Sequence, residues 1–147
     1  MMKPTRTLHE LGQSLWLDNV TRELLSSGTL QRYIDDLSVT GLTSNPTIFD
    51  HAIRSSTAYD GDLASKAHAA KTSRDDLFFD LALADLTRAA ALFRPVFART
   101  DGVDGWVSLE VSPLLAHDAK GTIAAARDLH RRGGAANLFI KLSLIHI

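Results

Sequence analysis

The sequence predicts an α/β fold in which short parallel strands alternate with helices. Four segments have strand-like composition, and a helical pattern separates each from the next. Polar residues stand at the ends of these segments or within one residue of them, namely Asp18, Asn45, Glu110 and Lys141. Parallel α/β barrels collect such side chains at the carboxyl ends of consecutive strands. We therefore predict the N-terminal half of an eight-stranded (β/α) barrel, with about four parallel strands and extra helices.

The strand candidates cover residues 14–18, 39–44, 106–111 and 137–141. Each has one apolar face, suited to packing under helices, and one mixed polar face. An open doubly wound sheet carries helices on both faces and should be apolar on both. The mixed face therefore favours a barrel, inside which we expect Trp16 and Trp106 to serve as filling rather than to stack on bases.

Helix signals separate the strand candidates. Thr29 is predicted to cap a helix whose apolar side chains recur at helical spacing. Pro46, directly after Asn45, is predicted to open the next helix. The polar residues 54–72 lead to the next helix candidate.

Two further helices follow. Ser73, with Asp76 three residues later, resembles a capping box at the start of a long helix, which Pro95 is expected to kink or end. The last helix is predicted over residues 118–132, with Gly133 and Gly134 stopping it.

Composition excludes several classes of function. The 147 residues carry a formal net charge of −1, which gives no electrostatic reason to expect a nucleic-acid or anionic-membrane partner. No apolar stretch approaches the roughly 20 residues that span a bilayer. The absence of cysteine fits a reducing cytosol, so a cytoplasmic location is predicted. No metal site is expected, because the histidines lack ligand spacing: His9, His51, His68, His117 and His130.

The four polar strand-end residues form a chemically coherent group. A lysine at the end of an inner strand, such as Lys141, suggests chemistry because a buried cation is costly unless paired or neutralised. Such an amine can attack a ketone and form a Schiff base, which is an electron sink for breaking a carbon–carbon bond. Glu110 can mediate the proton transfers through a water, Asp18 can act as the base for a substrate hydroxyl, and Asn45 can hold a hydroxyl without adding charge.

Each of these residues also has a structural explanation when taken alone. Asp18 can be a turn residue, Asn45 an N-cap, and Lys141 a side chain that extends from a sheet edge into water. Glu110 is harder to explain in this way, because it lies between Leu109 and Val111 in an otherwise uncharged strand. The coincidence of four such residues at one end of four strands favours the functional interpretation.

Four segments resemble transaldolase, most closely the longer bacterial form of actinobacteria and of fusions with glucose-6-phosphate isomerase. The segment Thr-Ser-Asn-Pro-Thr-Ile-Phe at residues 43–49 is the most specific, and the resemblance runs from about Leu11 to Lys141. The other three segments are Ser-Leu-Trp-Leu-Asp-Asn at residues 14–19, Val-Ser-Leu-Glu-Val at residues 107–111 and Asn-Leu-Phe-Ile-Lys at residues 137–141.

The resemblance implies a class I Schiff-base transferase of the pentose phosphate pathway. Such enzymes move a dihydroxyacetone unit from sedoheptulose 7-phosphate to glyceraldehyde 3-phosphate, giving erythrose 4-phosphate and fructose 6-phosphate, without a metal or cofactor. By motif, Lys141 is the imine-forming lysine, Glu110 and Asp18 are the acid/base residues, and Asn45 contacts the substrate. Thr43 and Ser108, on the same polar face, are expected to bind substrate as well.

The sequence departs from the family after Lys141. Residues 142–147 (Leu-Ser-Leu-Ile-His-Ile) match what a transposase adapter of sequencing libraries encodes, so we predict a non-native tail after a partial barrel domain of residues 1–141. Later strands of the family supply the phosphate-binding arginine and serine, and this piece alone is therefore expected to be inactive. Its open strand edges favour aggregation or a homo-oligomer.

Two other functions remain open at this point. A related aldolase acting on fructose 6-phosphate is one, although those chains are shorter and the helical insertion at residues 58–97 argues against it. A non-catalytic open α/β binding module is the other, in which Glu110 and Lys141 form a structural ion pair.

Overall fold

The computed structural model describes residues 3–67 and 73–142, and within them four strands form a single parallel sheet. The strands are β1 (Leu15–Asp18), β2 (Val39–Thr43), β3 (Trp106–Glu110) and β4 (Leu138–Lys141). They lie in the consecutive order β1-β2-β3-β4, with every neighbouring pair parallel. A doubly wound sheet reverses its strand order at a switch point, whereas a barrel keeps the order of the chain. The α/β prediction with four parallel strands is thus confirmed, and the arrangement is that of half a barrel.

Seven α-helices and two short 3₁₀ helices are found in the described residues. The α-helices are α1 (Pro4–Glu10), α2 (Arg22–Ser26), α3 (Thr29–Leu37), α4 (Pro46–Arg54), α5 (Asp60–Ala67), α6 (Arg74–Arg99) and α7 (Ala119–Gly133). The 3₁₀ helices are Thr57–Tyr59 and Pro113–Leu115. Helices α4, α5 and α6 all belong to the connection between β2 and β3, which is therefore much longer than the other two connections.

The helix ends follow most of the sequence signals. Ser73 accepts a hydrogen bond from the backbone of Asp76, and Gly134 ends α7 in the left-handed region at φ 61°, both as predicted. The predicted cap at Thr29 is wrong, because Gly28, at φ 75°, is the N-cap and Thr29 is already helical. Pro95 does not end α6, which continues to Arg99 with Val96 buried. Helix α5 lies in the polar stretch of residues 54–72.

One face of the sheet packs under the helices. Most of the apolar residues predicted for that face lie in, or pack against, one continuous core with side chains of α3, α6 and α7. The sheet residues of this core are Leu42, Val107, Leu109 and Leu138, with Leu17, Val111 and Ile140 packed against it. Burial of these aliphatic side chains is the main source of stability in such a fold.

The opposite face carries an aromatic cluster of Trp16, Trp106 and Phe139. The ring of Phe139 lies 5.6 Å from that of Trp16 and 5.7 Å from that of Trp106, between centroids. Gly41 makes room for this cluster, since a Cβ atom there would lie 2.5 Å from Cε2 of Trp16. Each aromatic residue precedes a polar residue of its own strand by two positions, so the cluster forms the floor below the polar strand ends.

The predicted tail lies almost entirely outside the described residues, which end at Leu142.

Candidate active site

Lys141 and Glu110 meet at the carboxyl ends of β4 and β3. The two residues are register partners in the parallel pair, which places both side chains on the same face of the sheet. Nζ of Lys141 lies 2.9 Å from Oε1 of Glu110. Both side chains remain partly open to solvent, at 41% and 22% exposure, so a small molecule can reach the amine from the face that carries the aromatic cluster.

Thr43 links this pair to a buried chain of hydroxyls. Its Oγ1 accepts a hydrogen bond from Nζ of Lys141 at 3.3 Å and another from Oγ of Ser108 at 2.9 Å. Ser44 adds a further tie between the strands, because its hydroxyl donates to the carbonyl oxygen of Ser108 at 2.8 Å. Ser108 is completely buried and thus reaches the site through Thr43. With both acceptor positions of Thr43 used, its own hydroxyl proton is available to a ligand.

Asn45 begins the helix that follows β2. Its Oδ1 accepts a hydrogen bond from the backbone N–H of Ile48 at 2.9 Å, and Pro46 occupies the first helical position. The residue is therefore an N-cap, as one of its two interpretations expects. Its Nδ2 amide remains as the group that can donate to a substrate oxygen.

Asp18 closes β1 on the same face. It is the register partner of Thr43 across the β1–β2 pair, and neighbouring parallel strands lie about 4.8 Å apart. Its side chain is exposed, and no contact between it and the Lys141–Glu110 pair is recorded among the described residues. The strands thus bring Lys141, Glu110, Thr43 and Ser108 into one group connected by an ion pair and hydrogen bonds. Asp18 and Asn45 lie at the adjacent strand ends.

A second polar cluster, which the sequence did not reveal, joins the segments that follow β1 and β2. We call Arg22, Tyr59, Asp62 and Asp85 the Arg22 cluster. Asp85 is only 1% exposed, yet its carboxylate accepts from Nε of Arg22 at 3.1 Å and from the hydroxyl of Tyr59 at 2.8 Å. Burial, and then the hydrogen bond to Asp85, raise the pKa of the Tyr59 phenol. The interruption of an apolar helical face by Asp85 was the available signal, since a buried carboxylate requires a partner.

Two negative findings concern the described ranges only. Within residues 3–67 and 73–142, no group of three or more histidine, aspartate or glutamate side chains is placed to hold a metal ion. None of the helices described there has the length and apolar character needed to cross a membrane. The expected absence of a metal from the reaction stays a prediction.

Fold and site together define a parallel α/β protein of the barrel type, with a lysine–carboxylate centre at the carboxyl ends of its strands. Residues 15–146 match the profile of the transaldolase/fructose-6-phosphate aldolase family, and the chain belongs to that family.

Curated relatives are similar over nearly the whole chain. Transaldolases of Arthrobacter sp. and of Kocuria rhizophila are each 44% identical to it over 142 residues, which is 97% of this chain and 38% of theirs. A transaldolase of Thiobacillus denitrificans is 41% identical over 141 residues, which is 96% of this chain and 39% of that protein. The chain thus spans somewhat more than a third of the length of these relatives.

Proposed function

We propose that residues 1–141 form the N-terminal part of a transaldolase that transfers a dihydroxyacetone unit between sugar phosphates through an imine on Lys141. The donor would be sedoheptulose 7-phosphate and the acceptor glyceraldehyde 3-phosphate, giving erythrose 4-phosphate and fructose 6-phosphate. The observation that carries the proposal is the position of Nζ of Lys141, 2.9 Å from Oε1 of Glu110 and 3.3 Å from Oγ1 of Thr43, at the carboxyl edge of parallel strands. The names of the relatives support the same reaction.

The first chemical step is imine formation. Glu110 takes a proton from the Lys141 ammonium, and the neutral amine attacks the ketose carbonyl carbon. The resulting carbinolamine loses its hydroxyl as water, for which Glu110 returns a proton directly or through a bound water. The hydroxyl of Thr43 can donate to the carbinolamine oxygen, because both of its acceptor positions are already used.

The second step is cleavage of the carbon–carbon bond. Asp18 removes the proton from the hydroxyl two carbons away from the imine carbon. The bond between this hydroxyl-bearing carbon and the carbon next to the imine carbon breaks, and its electron pair moves towards the protonated imine to give an enamine and a free aldehyde. The enamine then attacks the acceptor aldehyde, whose oxygen takes the proton back from Asp18, and hydrolysis of the new imine releases the product. The Nδ2 amide of Asn45 orients a substrate hydroxyl during these steps.

The remaining proposals concern the complete protein. We infer that residues 142–147 are not native and that further strands follow Lys141 in the natural gene. Sequencing natural DNA through codon 141 tests this, and a natural coding sequence that contains the same six residues would contradict it. The enzyme is proposed to be cytoplasmic, to need no cofactor and no nucleic-acid partner, and to form a homo-oligomer.

The two alternative functions make different predictions. A fructose 6-phosphate aldolase would use the same lysine but would release free dihydroxyacetone rather than pass it to an aldose phosphate. A binding module is compatible with the Lys141–Glu110 ion pair alone, but it gives no reason for the Thr43 and Ser108 hydroxyls to converge on that pair. Product analysis of the complete protein separates all three.

The test of the proposed function is turnover of the complete protein with Lys141→Ala. We expect a fall of at least about 1000-fold in kcat, because removing a covalent nucleophile usually costs that much or more. Lys66→Ala is the matched control, since Lys66 also pairs with a carboxylate at 2.9 Å, on the surface. Equal activity of the two variants would overturn the assignment of Lys141.

A further inference from the structure

The Arg22 cluster joins four helical elements that belong to two chain connections, one after β1 and one after β2. Arg22 opens α2 after β1, Tyr59 ends the 3₁₀ helix, Asp62 lies in α5, and Asp85 lies in the middle of α6. The guanidinium bonds through all three nitrogens: Nε to Asp85 at 3.1 Å, Nη1 to the carbonyl oxygen of Ala58 at 2.8 Å and Nη2 to Asp62 at 2.6 Å. Its Cζ also lies 4.2 Å from the ring centroid of Tyr59. A planar fork stacked on an aromatic face is a geometry that lysine cannot reproduce.

Most of the Arg22 cluster is buried in the interior of the fold. Asp85 is almost fully buried on the face of α6 that contacts the core, and Tyr59 is fully buried. A buried carboxylate without its cation is strongly unfavourable, so Arg22 is required to stay in place once α6 is packed. The side chain of Arg22 is itself only 15% exposed.

The cluster also lies on the two chain connections that carry proposed site residues. Arg22 is four residues after Asp18, and buried Val20 anchors the backbone between them. Ala58 and Asp62 belong to the connection that leaves β2 through Asn45 and α4. The bonds from Arg22 to Ala58 and Asp62 therefore tie the segment after Asp18 to the segment after Asn45, and both segments leave the sheet at the end where Lys141 lies.

We propose that Arg22 is a positioning residue that holds Asp18 and Asn45 in place relative to Lys141. The inference rests on the proposed function, in which Asp18 removes the substrate proton during bond cleavage and Lys141 forms the imine. Lys141, Glu110 and Thr43 lie on β4, β3 and β2, respectively, and make their contacts with one another. Loss of Arg22 thus affects the step that uses Asp18 and leaves the formation of the imine intact.

The experiment compares Arg22→Gln and Arg132→Gln in the complete enzyme. Arg132 is the matched control, because it also binds two carboxylates, Asp80 at 2.7 Å and Asp128 at 3.3 Å, but on the α6–α7 side. Turnover is measured at a temperature at which circular dichroism shows both variants folded. Imine formation is measured separately, as borohydride-dependent attachment of the ketose phosphate to Lys141, located by peptide mass mapping.

For Arg22→Gln we expect kcat to fall by about 10- to 100-fold, the order produced by a small misplacement of a reacting group, with unchanged trapping at Lys141. Arg22→Lys should recover only part of kcat, and Arg132→Gln should resemble the wild type. If Arg22→Gln does not fold, Tyr59→Phe decides, because it removes one bond to Asp85 and keeps the ring: a lower kcat with intact trapping supports the proposal.

Three results would overturn the positioning role. The first is an unchanged kcat in Arg22→Gln, or in Tyr59→Phe where that variant decides. The second is a parallel loss of trapping and kcat, which would indicate general damage. In both cases normal trapping by the wild type leaves the proposed function standing. The third is a wild-type enzyme that traps nothing on Lys141, which would remove the proposed function and the positioning role with it.

Discussion

Two lysine–carboxylate pairs in this chain have the same length and different surroundings. Nζ lies 2.9 Å from a carboxylate oxygen both in Lys141–Glu110 and in Lys66–Asp80, and the lysines are similarly exposed, at 41% and 37%. Lys66 shares its carboxylate with Arg132, which binds Asp80 at 2.7 Å, between helices. Lys141 instead contacts a hydroxyl that a buried serine supports, above an aromatic floor. The ion pair alone therefore does not distinguish Lys141, the lysine proposed to react, from Lys66, whereas the neighbouring hydroxyl and aromatic side chains do.

Replacement of the carboxylates should show the largest difference between the two pairs. With Glu110→Gln we expect kcat of the complete enzyme to fall by about 10²- to 10⁴-fold, because an amide cannot exchange the protons of imine formation. Asp80→Asn, which removes the carboxylate of the surface pair, should leave kcat unchanged. A steady-state assay of both variants checks this, and similar kcat values would show that the two pairs do not differ in function.

Removal of the Thr43 hydroxyl should have the next largest effect. We expect Thr43→Val to slow borohydride trapping at Lys141 by about 10- to 100-fold, since a hydrogen bond to a charged group contributes about 1.5–3 kcal/mol. Thr43→Ser keeps the oxygen and should restore the rate. Thr87→Val is the matched control, because the Thr87 hydroxyl donates to the carbonyl oxygen of Gly133 on the far side of α6. Equal rates in Thr43→Val and Thr87→Val would count against a role for the hydroxyl chain.

The surface pair should show its effect only in stability, and the effect should be small. Hydrogen bonding to Lys66, opposed by partial burial and reinforced by Arg132, lowers the pKa of the Asp80 carboxyl below its ordinary value. A lowered pKa in the folded state means that the contribution is present above the unfolded pKa, about 4, and is lost as the pH falls through the folded value.

Asp80→Asn should accordingly reduce the free energy of unfolding by at most about 1 kcal/mol near neutral pH, because the pair is screened by solvent. The difference from wild type should vanish towards about pH 3. Urea unfolding of the chain at several pH values measures it, and a difference that grows on acidification would have the wrong sign.

Much of the fold could be predicted from the sequence because the patterns that specify its strands are local. The alternation of Leu42 with Thr43, and of Leu109 with Ser108 and Glu110, predicted which side chains lie on each face of the sheet. The strand bounds in the structure differ from the predicted ones by at most one residue at either end. The strand ends predicted to carry chemistry do lie at one edge of the sheet, because parallel strands place them there.

The structural features that the sequence did not predict depend on contacts between residues far apart in the chain. Helix α5 has little apolar character of its own, and Asp62 within it binds Arg22, 40 positions earlier. No local pattern pairs Arg22 with Asp85, 63 positions later, although a buried aspartate on α6 required some cation. The cap at Gly28 was missed because a left-handed glycine can serve there without any side-chain bond.

Borohydride trapping on the complete enzyme tests the central claim most directly. The enzyme is incubated with sedoheptulose 7-phosphate, reduced, digested and analysed by mass spectrometry for every lysine-containing peptide. We expect a substrate-dependent adduct on Lys141 and none on Lys66, in spite of their equal distances to a carboxylate. An adduct spread equally over both lysines, or absent from Lys141, would contradict the account.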